Sequence, residues 1–214
     1  MKFFLDTANL DDITYFKDFI DGVTTNPSIM ASHNRKDYQN IITKICNLVH
    51  GPVSVEVNSE NFEDMLEEGE HISKFHENIC IKLPCTFDGL RAAKILSAQG
   101  ISTNLTLCFS STQAILAAKS NATFVSPFIG RLDDIGCDGM SLIEEIKAIY
   151  DVQNFETKIL AASVRNIQHV ILAAEIGADA ITLPPKILKQ CFEHPLTQNG
   201  LEKFKKDWEN GILK

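Results

Sequence analysis

Long apolar runs are missing from this sequence. No segment approaches the roughly 18 consecutive apolar residues that a membrane-spanning helix needs. The first residues, MKFFLDTANLDD, contain a continuous run of only three apolar side chains before Asp6, too short for the apolar region of a secretory signal. We therefore expect a cytoplasmic protein without a membrane partner.

Disulfide and metal-binding motifs are missing as well. The six cysteines show no CxxC spacing, and the six histidines are scattered rather than grouped near them. The cysteines are Cys46, Cys80, Cys85, Cys108, Cys137 and Cys191. This distribution favours reduced thiols in the cytoplasm and predicts no metal site.

Positive charge is in deficit. Lysine and arginine total 20 against 28 acidic residues, which leaves a formal net charge of −8. A negative protein repels polyanions, so nucleic acid is not an expected partner. A small phosphorylated metabolite is still compatible with this charge, because a local pair of arginines can override the global sign.

Against these absences stands a regular alternation of two patterns. Eight short runs rich in apolar and β-branched residues are separated by segments of helical periodicity. The runs are 2–7, 22–27, 52–57, 79–84, 101–107, 123–128, 158–164 and 179–184. Eight such alternations predict an α/β protein, a compact (β/α)8 TIM barrel formed by residues 1–214 as one domain. A doubly wound open sheet is the alternative, because alternation alone does not show closure.

The C-terminal segment, residues 198–214, predicts a further helix. Its apolar stripe consists of Leu201, Phe204, Trp208 and Ile212. Such a stripe fits either a neighbouring subunit or the helix's own barrel.

Polar residues collect where the predicted strands end. In a (β/α)8 barrel the catalytic groups lie at the carboxyl ends of the strands, so these residues are candidates for a site. They are Asp6, Thr24, Asn26, Glu56, Lys82, Asn104, Thr106, Ser126 and Ser163. Individually, most are better explained as ordinary polar residues of strand ends and turns.

Lys82 lies in the middle of the apolar run ICIKLP. Strand side chains alternate between the two faces, so if Ile81 and Leu83 pack against the surrounding helices, Lys82 points into the barrel. A lone strand lysine is usually a solvated edge residue or a snorkelling side chain, but a closed barrel has no edge. A desolvated amine loses its proton more readily, and a neutral amine can attack a carbonyl to form a Schiff base.

Two carboxylates accompany this lysine, and each has a simpler explanation. Asp6 could cap the first helix, and Glu56 could be a buried acid paired with Lys82. Together, however, an inward lysine and two inward carboxylates form a charged core that is costly unless it is used. Imine chemistry needs these parts, a nucleophilic amine and groups that move protons.

Two arginines follow strand ends directly. Arg131 follows SPFIG and Arg165 follows AASV, and only Arg35 and Arg91 occur elsewhere. The planar guanidinium binds a phosphate dianion well, and phosphate sites at barrel loops are common. Arg131 could instead pair with Asp133 or Asp134.

Taken together, the motifs resemble a known family. FLDTANL, DGVTTNPSI, SVEV, IKLP, TNLTLCFS, SPFIGRLDD, AASVR and ITLP occur in the order seen in the short transaldolases of the transaldolase/fructose-6-phosphate aldolase family. The resemblance implies a class I aldolase-type barrel. It also implies transfer of a dihydroxyacetone unit between phosphorylated ketose and aldose substrates in the pentose phosphate pathway, without a cofactor or metal.

The resemblance also implies a role for each candidate residue. Lys82 forms the Schiff base, Asp6 takes the proton from the hydroxyl beside the breaking bond, and Glu56 and Thr106 act through a water. Asn26 and Asn104 bind hydroxyls of the dihydroxyacetone unit, with Thr24 and Ser126 in the same pocket. Arg131, Ser163 and Arg165 hold the phosphate. Short members assemble as homodecamers built from pentamers.

Two alternatives remain at this point. Fructose-6-phosphate aldolase shares the lysine but releases free dihydroxyacetone. By resemblance, that enzyme carries Gln where this chain has Glu56 and Tyr where this chain has Phe128. A phenol can donate the proton that frees the enamine, which Phe128 cannot do, so the sequence favours the transaldolase. A sugar-phosphate-binding barrel without turnover is the other alternative.

Overall fold

A computed structural model describes residues 1–31 and 37–212, with the side chain of Ile212 excepted. Arg35, residues 213–214 and the Ile212 end of the predicted apolar stripe therefore lie outside the described part. The eight strands are β1 (Lys2–Asp6), β2 (Gly22–Thr24), β3 (Val53–Glu56), β4 (Ile79–Pro84), β5 (Thr103–Cys108), β6 (Phe124–Pro127), β7 (Lys158–Ala161) and β8 (Ala180–Leu183). Each lies within or overlaps the run of sequence that predicted it.

All eight strands pair in parallel, in chain order, and β8 closes on β1. The sheet is thus a closed barrel, which confirms the (β/α)8 prediction and excludes the doubly wound open sheet. Because all eight strands run in the same direction, their carboxyl ends lie together at one rim of the barrel. Active sites of such barrels lie at this rim.

Helices follow the strands around the outside of the barrel. They are α1 (Leu10–Phe16), α2 (Pro27–Met30), α3 (Tyr38–Leu48), α4 (Phe62–Ser73), α5 (Phe87–Ala98), α6 (Ser111–Lys119), α7 (Ile129–Asp133), α8 (Gly139–Gln153), α9 (Ile167–Ile176), α10 (Pro185–Cys191) and α11 (Pro195–Ile212), with a short 3-10 turn at Lys17–Phe19. Side-chain caps fix several of their first turns. Ser110, for example, accepts from the N–H of Gln113 at 3.3 Å at the start of α6.

Two apolar cores result from the alternation along the strands. Outward side chains such as Ile81 and Leu83 are 0% exposed and pack under the helices. Inside the barrel a smaller cluster fills the lower half, made of Phe4, Cys80, Phe124, Leu160 and Ala180. The prediction that Ile81 and Leu83 face away from Lys82 is therefore confirmed.

One irregularity interrupts this pattern. The pairing of β5 with β6 shifts register between Leu105 and Cys108, and Leu107 adopts a φ of 54°. A non-glycine residue in the left-handed region marks local strain, and bulges of this kind are frequent beside active sites. The bulge directly follows Thr106, one of the predicted site residues.

Helix α11 extends from the barrel with an exposed apolar face. Leu201, Phe204 and Trp208 are 59%, 70% and 71% exposed, so these parts of the predicted stripe do not pack on their own barrel. Within residues 1–31 and 37–212, no helix has both the length and the hydropathy needed to cross a bilayer.

Candidate active site

The carboxyl-end rim of the barrel holds a polar cavity of about 190 Å³. It is lined by Asp6, Thr24, Asn26, Lys82, Ser126, Phe128, Arg131, Ala162, Ser163, Val164, Arg165, Thr182 and Pro184. Nine of the twelve predicted site residues are among them. The other three, Glu56, Asn104 and Thr106, lie directly behind this lining on β3 and β5.

Lys82 projects into the barrel from the middle of β4 and is only 5% exposed. Its Nζ lies 2.9 Å from Glu56 Oε2 and donates to the carbonyl of Thr25 at 3.2 Å. Glu56 reaches it because β3 and β4 pair in register at these two residues. The resting amine is thus held by a carboxylate that can accept its proton.

Asp6 lines the same cavity from β1. Its Oδ1 accepts a hydrogen bond of 2.7 Å from the hydroxyl of Thr24, whose oxygen lies 2.6 Å from the hydroxyl of Thr182. Burial raises the pKa of the Asp6 carboxyl, although the Thr24 hydrogen bond and the charge of Lys82 oppose this shift. A carboxyl with a raised pKa is a stronger base than an ordinary aspartate, which suits it to accepting a proton from a substrate hydroxyl.

A second chain of hydrogen bonds runs through Asn104 on β5, which is 0% exposed. Its Nδ2 donates to Ser54 at 3.1 Å, and its Oδ1 accepts from Ser126 at 2.7 Å. These bonds fix which end of the amide faces which neighbour. Asn104 is therefore rigidly oriented beside Lys82, its register partner on β4.

Thr106 differs from its neighbours. It is 0% exposed, and its Oγ1 is the one fully buried side-chain polar atom in the described part of the chain that has no hydrogen-bond partner. An unsatisfied buried hydroxyl costs free energy, of order 1–3 kcal/mol, and such a group calls for an explanation.

Asn26 has a structural task in addition to its place on the cavity. Its Oδ1 accepts from the N–H of Ile29 at 2.9 Å and so caps α2. The sequence reasoning assigned it only to substrate binding. Its amide group can serve both purposes, because the capping bond uses the oxygen and leaves the two N–H donors.

The other side of the cavity is positively charged. The Arg131 guanidinium lies over the ring of Phe128, with Cζ 4.9 Å from the ring centre, and Arg165 Nη2 lies 3.0 Å from Asp134 Oδ2. The sequence alternative that paired Arg131 with Asp133 or Asp134 is wrong for the described residues, because Asp134 pairs with Arg165 and Asp133 with His169.

The loops that carry these arginines are locked together. The N–H of Gly130 donates to the carbonyl of Ser163 at 3.1 Å, and a Cβ at Gly130 would lie 2.1 Å from that oxygen. Only glycine allows this approach. Ser163 itself has a φ of 61°, a second strained position at the rim.

Besides the apolar residues of the cavity lining, three residues that make polar contacts in the site are not predicted by the sequence patterns. Thr182 lines the cavity, Ser54 orients Asn104, and the carbonyl of Thr25 holds Lys82. Thr182 carried a usable signal, since it lies in the last strand two residues before Pro184, where the other strands place their polar side chains. The roles of Ser54 and the Thr25 carbonyl depend on barrel register, which the sequence does not display.

Comparison with known proteins agrees with this geometry. The profile of the Transaldolase/Fructose-6-phosphate aldolase family matches residues 3–212. A "Probable transaldolase" of Bartonella tribocorum is 55% identical over 98% of this chain and 97% of its own length. Another protein of that description, from Sinorhizobium medicae, is 56% identical over 97% and 96%.

A solved structure extends the comparison to the fold alone. Orotidine 5'-monophosphate decarboxylase from Metallosphaera sedula superposes with a TM-score of 0.62 over 86% of this chain and 87% of that one, at 11% sequence identity. Because the family profile covers almost the whole chain and relatives more than half identical span it, the protein belongs to the transaldolase/fructose-6-phosphate aldolase family.

Proposed function

We propose that this protein is a transaldolase that moves a dihydroxyacetone unit from fructose 6-phosphate or sedoheptulose 7-phosphate to an aldose phosphate through a Schiff base on Lys82. The observation that carries the proposal is the buried Lys82 amine, 2.9 Å from Glu56, on a cavity that Asp6 also lines. The names and the family of its relatives point to the same activity.

The first step is attack of Lys82 on the ketose carbonyl. Glu56 accepts a proton from the ammonium, and the freed amine adds to the carbonyl carbon to give a carbinolamine. Glu56 then returns the proton to the departing hydroxyl, water leaves, and an iminium forms. The unsatisfied Thr106 hydroxyl, buried on β5 two residues beyond the register partner of Lys82, is suited to orienting that water.

The second step breaks the carbon–carbon bond. Asp6 takes the proton from the hydroxyl on the carbon beyond the bond, the new carbonyl leaves as the aldose phosphate, and the bond's electron pair moves into the iminium to give an enamine. Burial raises the pKa of Asp6, and this makes it a stronger base than an ordinary aspartate while it stays able to give the proton back. Asn26, Asn104, Thr24 and Ser126 hold the hydroxyls of the three-carbon unit.

The fate of the enamine separates a transferase from an aldolase. Release of free dihydroxyacetone requires a proton on the enamine carbon, and Phe128, which lines the cavity, has no proton to give. The enamine therefore waits for a second aldehyde, attacks it, and the steps run in reverse. This favours the transaldolase over the free aldolase.

The positive side of the cavity suits the phosphate of donor and acceptor. Arg131, Arg165 and the Ser163 hydroxyl lie together on the rim opposite the loop of Asn26. Two guanidinium groups supply the charge that a protein of net charge −8 otherwise lacks. We assign the phosphate to this group of three.

The proposal includes the setting of the enzyme. Residues 1–214 would form one domain, because all eight strands belong to one closed sheet. We place this domain in the cytoplasm, as the cysteine distribution predicts. The exposed apolar face of α11, with Leu201, Phe204 and Trp208, supports a homo-oligomer in which this helix packs on a neighbouring subunit. Family resemblance gives the number as ten, built from pentamers.

Borohydride trapping tests the proposed chemistry. Reduction in the presence of fructose 6-phosphate should fix a dihydroxyacetone-derived mass on Lys82, located by peptide mass spectrometry. Lys82→Met, mixed with the same reagents, supplies the background. A wild-type protein that gains no adduct, or gains one on another lysine, would refute the assignment.

A further inference from the structure

His169 in the first turn of α9 is buried, only 7% exposed, and has no part in the chemistry proposed above. It lies four residues after Arg165 and is not among the residues that line the cavity. A buried histidine needs hydrogen-bond partners for both ring nitrogens.

The ring's partners lie on the two segments that carry the arginines, α7 and the turn after β7, where Asn166 Nδ2 also lies 3.4 Å from His169 Nε2. The main-chain N–H of Arg165 donates to His169 Nδ1 at 3.3 Å, and His169 Nε2 lies 3.1 Å from Asp133 Oδ2. A main-chain N–H can only donate, so Nδ1 carries no proton. The ring proton is consequently on Nε2, where it is donated to Asp133.

Asp133 connects this contact to the other arginine. It ends α7, the short helix that carries Arg131, and its second oxygen accepts from the N–H of Gly139 at 3.0 Å. The imidazole thus spans from the main chain of Arg165 to the helix of Arg131. The parallel bridge from Arg165 to Asp134 has both side chains more than half exposed, whereas His169 in its own bridge is 9% exposed. Water screens the first bridge far more than the second.

We infer that His169 is a positioning residue for phosphate binding, because it holds the main chain of Arg165 and the helix of Arg131 at a fixed separation. The inference rests on the proposed function, which assigns the phosphate to these arginines. Two guanidinium groups that bind one phosphate dianion lose affinity when the distance between them varies. Each group must then be ordered when phosphate binds, and this ordering costs free energy. Within the described residues, His169 is not part of the cavity lining, and Lys82 Nζ is held by Glu56 and the Thr25 carbonyl instead.

Binding of inorganic phosphate, measured by titration calorimetry, tests this without any turnover. Phosphate affinity should fall by about ten-fold in His169→Ala, the order expected when buried hydrogen bonds are removed. His169→Asn and His169→Gln each keep one of the two hydrogen bonds, so each should lose about three-fold. His50→Ala is the matched control, because His50 is exposed and precedes β3 at the opposite end of the barrel.

A second measurement separates positioning from general damage. Borohydride trapping with dihydroxyacetone, which has no phosphate, should proceed at the wild-type rate in every His169 variant, while the KM for fructose 6-phosphate rises and kcat changes little. Should His169→Ala fail to fold, the Asn and Gln variants decide the matter.

Wild-type phosphate affinity in all foldable His169 variants would overturn the inference. Equal losses of phosphate affinity and dihydroxyacetone trapping would overturn it too, because they would make His169 a general structural residue. Failure of the proposed function has a different signature, namely a wild-type protein that forms no adduct on Lys82 with fructose 6-phosphate.

Discussion

Two layers of the barrel interior lie only two residues apart on the same strands, yet their composition is opposite. The lower layer contains Phe4, Cys80, Phe124, Leu160 and Ala180. Two residues further along, the same strands present Asp6, Lys82, Ser126, Ala162 and Thr182 to the cavity. One layer is a packed apolar plug, and the other, except at Ala162, is polar.

The difference shows how one scaffold separates stability from reactivity. In the lower layer Phe4 and Phe124 meet edge to face with ring centres 5.7 Å apart, and burial raises the pKa of the Cys80 thiol to about 12, so that it stays neutral. In the upper layer Lys82 and Glu56 are buried as an ion pair. Because the apolar layer beneath this ion pair has a low local dielectric constant, the electrostatic interactions of the charges above it are stronger than they would be in water.

Substitution of Lys82, in the upper layer, should have the largest effect on turnover. Lys82→Met should lower transaldolase turnover by at least about a thousand-fold, because no other group in the cavity is an amine. The variant should still be folded at ordinary temperature, because methionine fills a similar volume and the unpaired Glu56, at 14% exposure, can take up a proton when its partner is gone. Circular dichroism melting beside the kinetic assay checks both; unfolding of the variant at ordinary temperature would place Lys82 with the structural layer instead.

Asp6→Asn should lower turnover by about 10²–10⁴-fold, the usual range for a lost general base. Its effect on stability should have the opposite sign. Because burial raises the pKa of Asp6, the stability linked to its protonation is present below the ordinary carboxyl pKa and is lost as the pH rises through the raised value.

The asparagine variant cannot suffer that loss. At about pH 7 it should equal or exceed the wild type in free energy of unfolding, and below about pH 4 the advantage should disappear. Urea denaturation at the two pH values measures this. A variant less stable than wild type at neutral pH would mean that the Asp6 charge stabilises the fold.

Phe124→Ala probes the lower layer. Removing this 4% exposed ring should cost about 3–5 kcal/mol of unfolding free energy, through lost burial and the cavity left behind. Borohydride trapping on Lys82, counted per folded molecule, should be nearly unchanged. Loss of trapping in a protein that is still folded would show that the two layers are not separable.

Phe128→Tyr should have the smallest of these effects. A phenol at the cavity wall would let the enamine be protonated, and fructose 6-phosphate cleavage without an acceptor should rise by about ten-fold, below the range of an optimally placed acid. Phe109→Tyr is the matched control, since the Phe109 ring lies 5.9 Å from that of Phe128 and outside the cavity lining. A rise in both variants, or in neither, would contradict the explanation from Phe128.

Much of this organisation was accessible from sequence because period-two alternation is a local property. In the run ICIKLP, alternation places Lys82 on the strand face opposite to Ile81 and Leu83. Because Ile81 and Leu83 face the helices outside a closed barrel, Lys82 faces its interior. The same alternation locates the strand ends, and polar residues at those ends predict most of the residues that line the cavity.

What the sequence did not reveal depends on partners distant along the chain. Ser54 orients Asn104 across 50 positions, and Thr182 reaches Thr24 across 158. Arg131 has two aspartates close by in sequence, yet its guanidinium stacks on Phe128. Those two carboxylates bind Arg165 and His169, which are more than 30 positions away along the chain. Leu107 and Ser163 have φ angles of 54° and 61°, which the local propensity of leucine and serine does not predict.

The central claim is that the upper layer transfers the dihydroxyacetone unit and does not release it. Glyceraldehyde 3-phosphate formation from fructose 6-phosphate, followed by coupled NADH oxidation with and without erythrose 4-phosphate, tests this most directly. Formation that depends on erythrose 4-phosphate is the predicted result. Equal formation without the acceptor would contradict this claim. The protein would then be a free aldolase, and Glu56 and Phe128 would not distinguish the two activities.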